Sequence, residues 1–137
     1  MPDLGQIKFY RVPELPDDTT DLDKYTGTYA YSRCTIEVSE TGRPDELKFD
    51  IRWSGSAYDG NKWSMSGIFD PDTFRVTYSN SVKTYYIFDK NEKETTEVRY
   101  TDGIGRFQFV DDYLLWQDEQ EVKEIEDLGQ IKFLRVK

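Results

Sequence analysis

ELKFDIRWS, residues 46–54, alternates without error: Leu47, Phe49, Ile51 and Trp53 fall on one side of an extended chain, and Glu46, Lys48, Asp50 and Arg52 on the other. Successive side chains of a strand point to opposite faces, whereas a helix needs apolar positions three and four apart. The stretch therefore predicts a strand with one face buried and the other wet.

The same period of two extends in both directions. Upstream, CTIEVS at 34–39 aligns Cys34, Ile36 and Val38; downstream, WSMSGIF at 63–69 aligns Trp63, Met65, Gly67 and Phe69. TFRVTY at 73–78 aligns Phe74, Val76 and Tyr78, and GRFQFV at 105–110 aligns Phe107 and Phe109. Between these runs lie TGRPD at 41–45, GSAYDGN at 55–61, DPD at 70–72, SNS at 79–81, DKNEK at 89–93, TDGIG at 101–105 and DD at 111–112. Gly reaches positive φ, Pro presets φ, and Asn or Asp bond their own backbone, so each breaker reads as a tight turn between antiparallel neighbours. Strands are predicted at about 25–32, 34–40, 46–54, 62–69, 73–79, 82–88, 94–101, 105–110 with 113–117, and 129–136.

Eight or nine short strands joined by hairpins leave two exposed edges unless the sheet closes on itself. The predicted fold is an all-β, antiparallel up-and-down β-barrel. A β-sandwich is the alternative, with the same periodicity but longer crossing connections than these breakers supply. DEQEVKEIED at 118–127 is the one candidate helix, with Asp118 as cap, Glu121 at the third position and Glu119 four residues before Lys123; an acidic loop is the competing reading.

The chain of 137 residues suits one domain. Its 3 Trp, 10 Tyr and 8 Phe supply a core, since each large ring can bury roughly 150–250 Å². With 27 acidic against 18 basic residues, the net charge of −9 opposes phosphate contacts, so no nucleic-acid partner is expected. No apolar run approaches the roughly 18 residues of a membrane helix, and MPDLGQIKFY lacks the basic and apolar regions of a signal peptide, so membrane insertion is not expected either.

The two ends of the chain repeat one another. DLGQIKFYRV at 3–12 returns as DLGQIKFLRV at 127–136, with Tyr10 against Leu134 as the single difference. Repetition of this kind marks tandem architecture. Residues 1–12 read as a duplicated closing strand, either the end of a preceding module or an extra strand. Residues 13–22 read as a connector, since Pro13 and Pro16 interrupt pairing and five of residues 14–23 are acidic. The barrel then occupies 23–137. Two near-identical strands compete for one slot, so Ile7, Phe9, Ile131 and Phe133 mark a strand through which copies could self-associate.

The usual chemistry-bearing patterns are missing. The chain has no histidine, and its lone Cys34 lies on an apolar face where the thiolate is disfavoured. DDTTDLD at 17–23 and DPD at 70–72 lack the spacing of a calcium loop, and GIG at 103–105 leads into a strand rather than a helix. Asp111 with Asp112, and Asp118 with Glu119, are paired in sequence, but neighbours on a strand point apart and loop acids sit in water. No catalytic residue, metal or cofactor is predicted. Trp53, Trp63, Tyr86, Phe88 and Phe107 are assigned to the barrel interior, where they either pack the core or line a pocket for a small apolar or aromatic ligand.

LDKYTGTYAY at 22–31, with Gly27 followed two residues on by Tyr29, resembles the opening of lipocalin-like and avidin-like barrels; the late Trp116 and a closing strand carrying Arg135 extend the likeness. Tyr29 stands where the lipocalin pattern has Trp, and the set of tryptophans that an avidin-like biotin pocket needs is missing. YTGTY, DELKFDIRWSGS, WSMSGIFDPDT, YTDGIGRFQFVDD and LLWQDEQE, in that order, look like small bacterial β-barrel modules of envelope-attached or secreted proteins from Gram-positive anaerobes. The resemblance spans 23–137. It implies a lipocalin-like barrel serving as a non-catalytic spacer or binding unit in an extracellular or envelope setting.

Overall fold

The computed structural model describes residues 21–111, 113–121 and 130–136. Among these, a short 3-10 turn, Asp21–Tyr25, precedes eight strands: β1 Gly27–Tyr31, β2 Cys34–Glu40, β3 Glu46–Ser54, β4 Asp59–Asp70, β5 Arg75–Phe88, β6 Glu94–Val110, β7 Tyr113–Asp118 and β8 Phe133–Arg135. Each strand pairs antiparallel with its sequence neighbour, and β8 pairs back onto β1. The sheet is thus a closed up-and-down barrel, and ring closure sets the sandwich aside.

The stretch at 46–54 behaves as its alternation demands. Leu47, Phe49 and Ile51 are buried, Trp53 packs against the core from the barrel end, and Lys48, Asp50 and Arg52 are exposed. β2 supplies the matching face, with Cys34 opposite Trp53, Ile36 opposite Ile51 and Val38 opposite Phe49. β4 supplies Trp63 opposite Ile51 and Met65 opposite Phe49.

Two predicted breakers are not turns. SNS at 79–81 lies inside β5 and TDGIG at 101–105 inside β6. Both occur where the ladder slips: Tyr78 pairs with Gly105, Ser81 with Gly103, Lys83 with Tyr100 and Thr84 with Val98. Asp102 takes a positive φ of 61° there. Asn80 stitches the slip to β4, its Oδ1 accepting the Ser66 N–H at 3.2 Å and its Nδ2 donating to Ser66 Oγ at 3.2 Å. Residues suited to turns serve equally well at a bulge, where an extra residue sits in one strand. Four predicted strands thereby merge into two long ones.

Phe74, predicted in phase with Val76 and Tyr78, sits in the turn before β5 with φ 58° and is 46% exposed. The closing strand is shorter than predicted, since Gln130–Lys132 precede the ladder and only Phe133–Arg135 join it. Where the candidate helix is predicted, Glu119 and Gln120 form a turn after β7, and Asp118 Oδ1 accepts the N–H groups of Gln120 at 2.8 Å and Glu121 at 3.0 Å. Its continuation at 122–127 falls outside the described residues.

The end of the barrel where β1 begins is plugged by the 3-10 turn. Leu22, the last residue of the predicted connector, is buried there, and the Tyr25 ring lies 4.8 Å from the centroids of both Phe69 and Phe109. Arg135 locks this plug to the closing strand by donating to the carbonyls of Lys24 at 2.8 Å and Thr26 at 2.6 Å. Its guanidinium carbon is 5.8 Å from the Tyr29 ring centroid, so the Gly27, Tyr29 and Arg135 positions meet at one corner.

Candidate functional site

An eight-stranded barrel has room for its own side chains or for one small ligand. Here the axis is filled by aromatic rings. Phe49 and Phe107 stack in parallel at 3.8 Å, Phe107 lies nearly parallel to Trp116 at 6.3 Å, and Trp116 meets Trp63 edge-on at 5.2 Å. All four side chains are 0–3% exposed. Each ring occupies the volume that a lumenal ligand would need.

Below this stack, at the end where β7 finishes, the inward face turns polar. Trp116 Nε1 donates to Tyr78 Oη at 2.8 Å, and Tyr78 in turn donates to Asp118 Oδ2 at 2.6 Å. Beside that chain, Glu121 accepts from Tyr100 Oη at 2.7 Å, from Trp63 Nε1 at 3.3 Å and from Lys83 Nζ at 2.9 Å. Lys83 also sits 5.2 Å from the Trp63 ring. Asp118 and Glu121 are 1% and 3% exposed. Gly105 makes room for this cluster, because a Cβ there would run into Tyr78 Oη and the Gln117 carbonyl.

The two acids were missed as buried groups at the sequence level, although a signal for one exists: counting by twos from Leu114 through Trp116 reaches Asp118 on the inward face. Glu121 carries no such periodic signal, because it lies past the strand in a turn. Ser81 Oγ is the one buried side-chain polar atom among the described residues that finds no protein partner.

Every proton in the cluster is held in place. Burial, and secondly the bond to Asp118, push the Tyr78 phenol well above its ordinary range; burial, then the bond to Glu121, do the same for Tyr100. Burial alone raises the Cys34 thiol to about 12. The two phenols are held as donors to Asp118 and Glu121, which suits a structural clamp joining β4, β5 and β6 to the end of β7.

The raised phenols make a pH prediction. A phenol whose folded value exceeds the unfolded value near 10 contributes stability that is intact below about pH 10 and is lost as pH rises toward the folded value, because only the unfolded chain ionises there. Tyr78, 2% exposed, is expected to cost about 1.4 kcal/mol per pH unit above 10, with Tyr100 adding less because it is partly exposed. Denaturant midpoints measured at pH 8, 10 and 11 should fall only over the last interval, and a flat series contradicts the clamp.

The residues assigned to the interior from sequence divide. Trp63 and Phe107 are buried inside, and Trp53 packs at the rim against Phe133 at 6.4 Å. Tyr86 and Phe88 are on the outside. Tyr86 pairs with Gly60, on the same face as Arg52 and Lys62, and its ring lies 4.4 Å from the Arg52 guanidinium and 5.2 Å from the Lys62 ammonium. The cause is the bulge at 79–81: Val76 and Tyr78 face inward before it, Ser81 and Lys83 after it, so the phase reverses and positions 86 and 88 move to the outer face. Tyr86 is nonetheless 2% exposed, covered by those cations and by Phe88 at 5.7 Å.

The two cations over this ring, Arg52 and Lys62, also line an outer groove of about 540 Å³ together with Thr35, Glu37, Asp50 and Thr84. The groove carries both signs of charge and opens to solvent. Of the strand-exchange residues, Phe133 is fully buried and Ile131 packs against the core, while Ile7 and Phe9 lie outside the described residues.

Comparison with known proteins finds no match: no protein-family model, no curated protein and no solved structure is similar to the chain.

Proposed function

We propose that this chain is a non-catalytic β-barrel module of a tandem-module bacterial surface or secreted protein, lipocalin-like in outline and used as a spacer or as a binding unit acting through its exterior. The observation that carries this reading is the ring-filled axis, with Phe49 against Phe107 at 3.8 Å where a carried ligand would otherwise lie. The duplicated terminal segment and its Pro-containing acidic connector support the tandem part, because a repeat array is built from units that each keep every element. The absence of histidine and the saturation of both buried acids support the non-catalytic part.

A small-ligand carrier with an apolar or aromatic guest is the competing reading, and it requires the Phe49–Phe107 stack to part. An environment-sensitive apolar dye added at one equivalent to the native protein separates the two. No enhancement and unchanged tryptophan emission are expected; a saturable one-to-one enhancement overturns the packed-module reading in favour of the carrier.

A further inference from the structure

The end of the barrel closed by the 3-10 turn carries an open groove of about 580 Å³. That volume falls within the roughly 300–1,000 Å³ of small-ligand pockets. Tyr25, Tyr29, Phe74 and Phe109 give the groove its aromatic lining, and Lys24 and Arg135 bring positive charge to it.

The lining is held rigidly. Tyr25 packs on Phe109 at 4.8 Å, and Tyr29 lies edge-on to Phe109 at 6.0 Å while its hydroxyl donates to the Tyr25 carbonyl at 2.9 Å. Arg135 is anchored by its bonds to the Lys24 and Thr26 carbonyls, which use only part of the guanidinium's donor set. Lys24 is exposed, with Nζ 5.4 Å from the Tyr25 ring centroid. Among the described residues neither cation is in an ion pair, and Asp111, the one acid on the lining, pairs with neither. In a chain of net charge −9, cations converging on one aromatic groove create a local field that favours an anion.

Phe74 supplies an independent mark. Its N–H donates to the Asp70 carbonyl at 2.8 Å and its carbonyl accepts the Phe109 N–H at 2.9 Å, which pins the residue at φ 58°. Gln108 Nε2 braces the same turn by donating to the Thr73 carbonyl at 2.7 Å. Gly or Asn would hold this left-handed conformation with less steric cost. The phenyl ring does not offset that cost by burial, since Phe74 is 46% exposed on the groove. A strained, half-exposed aromatic on a rigid rim is the kind of outlier that points to ligand contact.

We propose that this groove is a binding site for a small aromatic carboxylate, whose ring packs on Phe74 and the Tyr25–Phe109 surface and whose carboxylate meets Lys24 and Arg135. The site gives the exterior binding unit a ligand class and rests on that reading, because the axis itself is filled.

Indole-3-acetate tests this on the full chain by proton–nitrogen NMR, with indole-3-acetamide as the ring without the charge and acetate as the charge without the ring. Saturable shifts are expected at Lys24, Tyr25, Phe74 and Val110 with a Kd on the order of 1 mM, roughly tenfold weaker for the amide and unsaturated for acetate. Lys24→Gln, at an exposed side chain, should weaken binding of the acid by about threefold or more and leave the amide unchanged. Phe74→Asn should weaken both by about tenfold while the thermal midpoint stays within about 2 °C of the parent, because relief of the left-handed backbone offsets the lost ring contact. Equal affinity for acid and amide, or undiminished binding in either variant, overturns the site. Absence of saturation also overturns it and leaves the packed barrel as it is. Saturable shifts at the Trp63 and Trp116 indole N–H groups overturn both, since the guest has then entered the axis.

Discussion

Phe107→Ala is expected to lower the unfolding free energy by about 3–5 kcal/mol, the range for truncating a fully buried aromatic. Phe107 is 0% exposed and is the ring on which the interior converges, stacked on Phe49 at 3.8 Å, near-parallel to Trp116 at 6.3 Å and tilted against Tyr78 at 5.5 Å. The loss has two parts, the apolar area no longer taken from water and the void left because a closed barrel cannot collapse inward without breaking its ladder. Opposing Phe49 comes from β3 and Trp116 from β7, so neither can follow the missing ring far. Urea denaturation checks the magnitude. A loss below about 1 kcal/mol would mean the interior is loose enough to hold a guest, and the carrier reading would return.

The second large effect is expected at the polar end. Glu121→Ala removes the acceptor for Lys83 Nζ and Tyr100 Oη and leaves Trp63 Nε1 donating to Tyr100 Oη alone, at 3.1 Å. The Lys83 side chain is 13% exposed and would be left as a charge with little water and no carboxylate. Breaking one half of a buried ion pair costs about 3–5 kcal/mol, whereas replacing both halves by apolar groups of similar volume is often near neutral. Lys83→Met with Glu121→Leu should therefore recover most of the loss seen in Glu121→Ala. A double variant as unstable as the single one would show that the hydrogen bonds from Tyr100 and Trp63, and not the ion pair, hold this end together. The four denaturation curves of a double-mutant cycle separate these contributions.

Ring closure sharpens the meaning of the alternation. On β3 and β2 the period of two predicted every inward residue, because both strands run without a slip and pair with each other residue for residue from Cys34 opposite Trp53 to Glu40 opposite Leu47. On β5 the same rule failed for Tyr86 and Phe88. Ser79, Asn80 and Ser81 look like turn residues in sequence, and whether such a triplet reverses the chain or bulges within it depends on the neighbouring strands. Here Ser66 on β4 captures the Asn80 amide and Gly103 on β6 lies opposite Ser81, which keeps the strand going with its phase reversed. A bulge leaves no mark in hydrophobicity that distinguishes it from a hairpin.

The polar cluster follows the same logic. Asp118 sits in phase with Leu114 and Trp116, yet an acid in that position reads as the start of a loop unless a phenol is known to face it. Tyr78 is 40 residues away and reaches Asp118 only because β5 and β7 flank β6 in the closed sheet.

The amino-acid pattern by itself determined the all-β class, the antiparallel order, the faces of β2 and β3 and the near-identity of the two terminal segments, because each follows from local alternation or direct identity. Only the tertiary structure decided which triplets are bulges, that Tyr86 faces outward, that Asp118 and Glu121 are buried partners of Tyr78 and Lys83, and that the single difference between the repeats falls at exposed Leu134. Those features depend on side chains brought together from strands far apart in sequence, and no local rule can encode a partner that only the packing of neighbouring strands supplies.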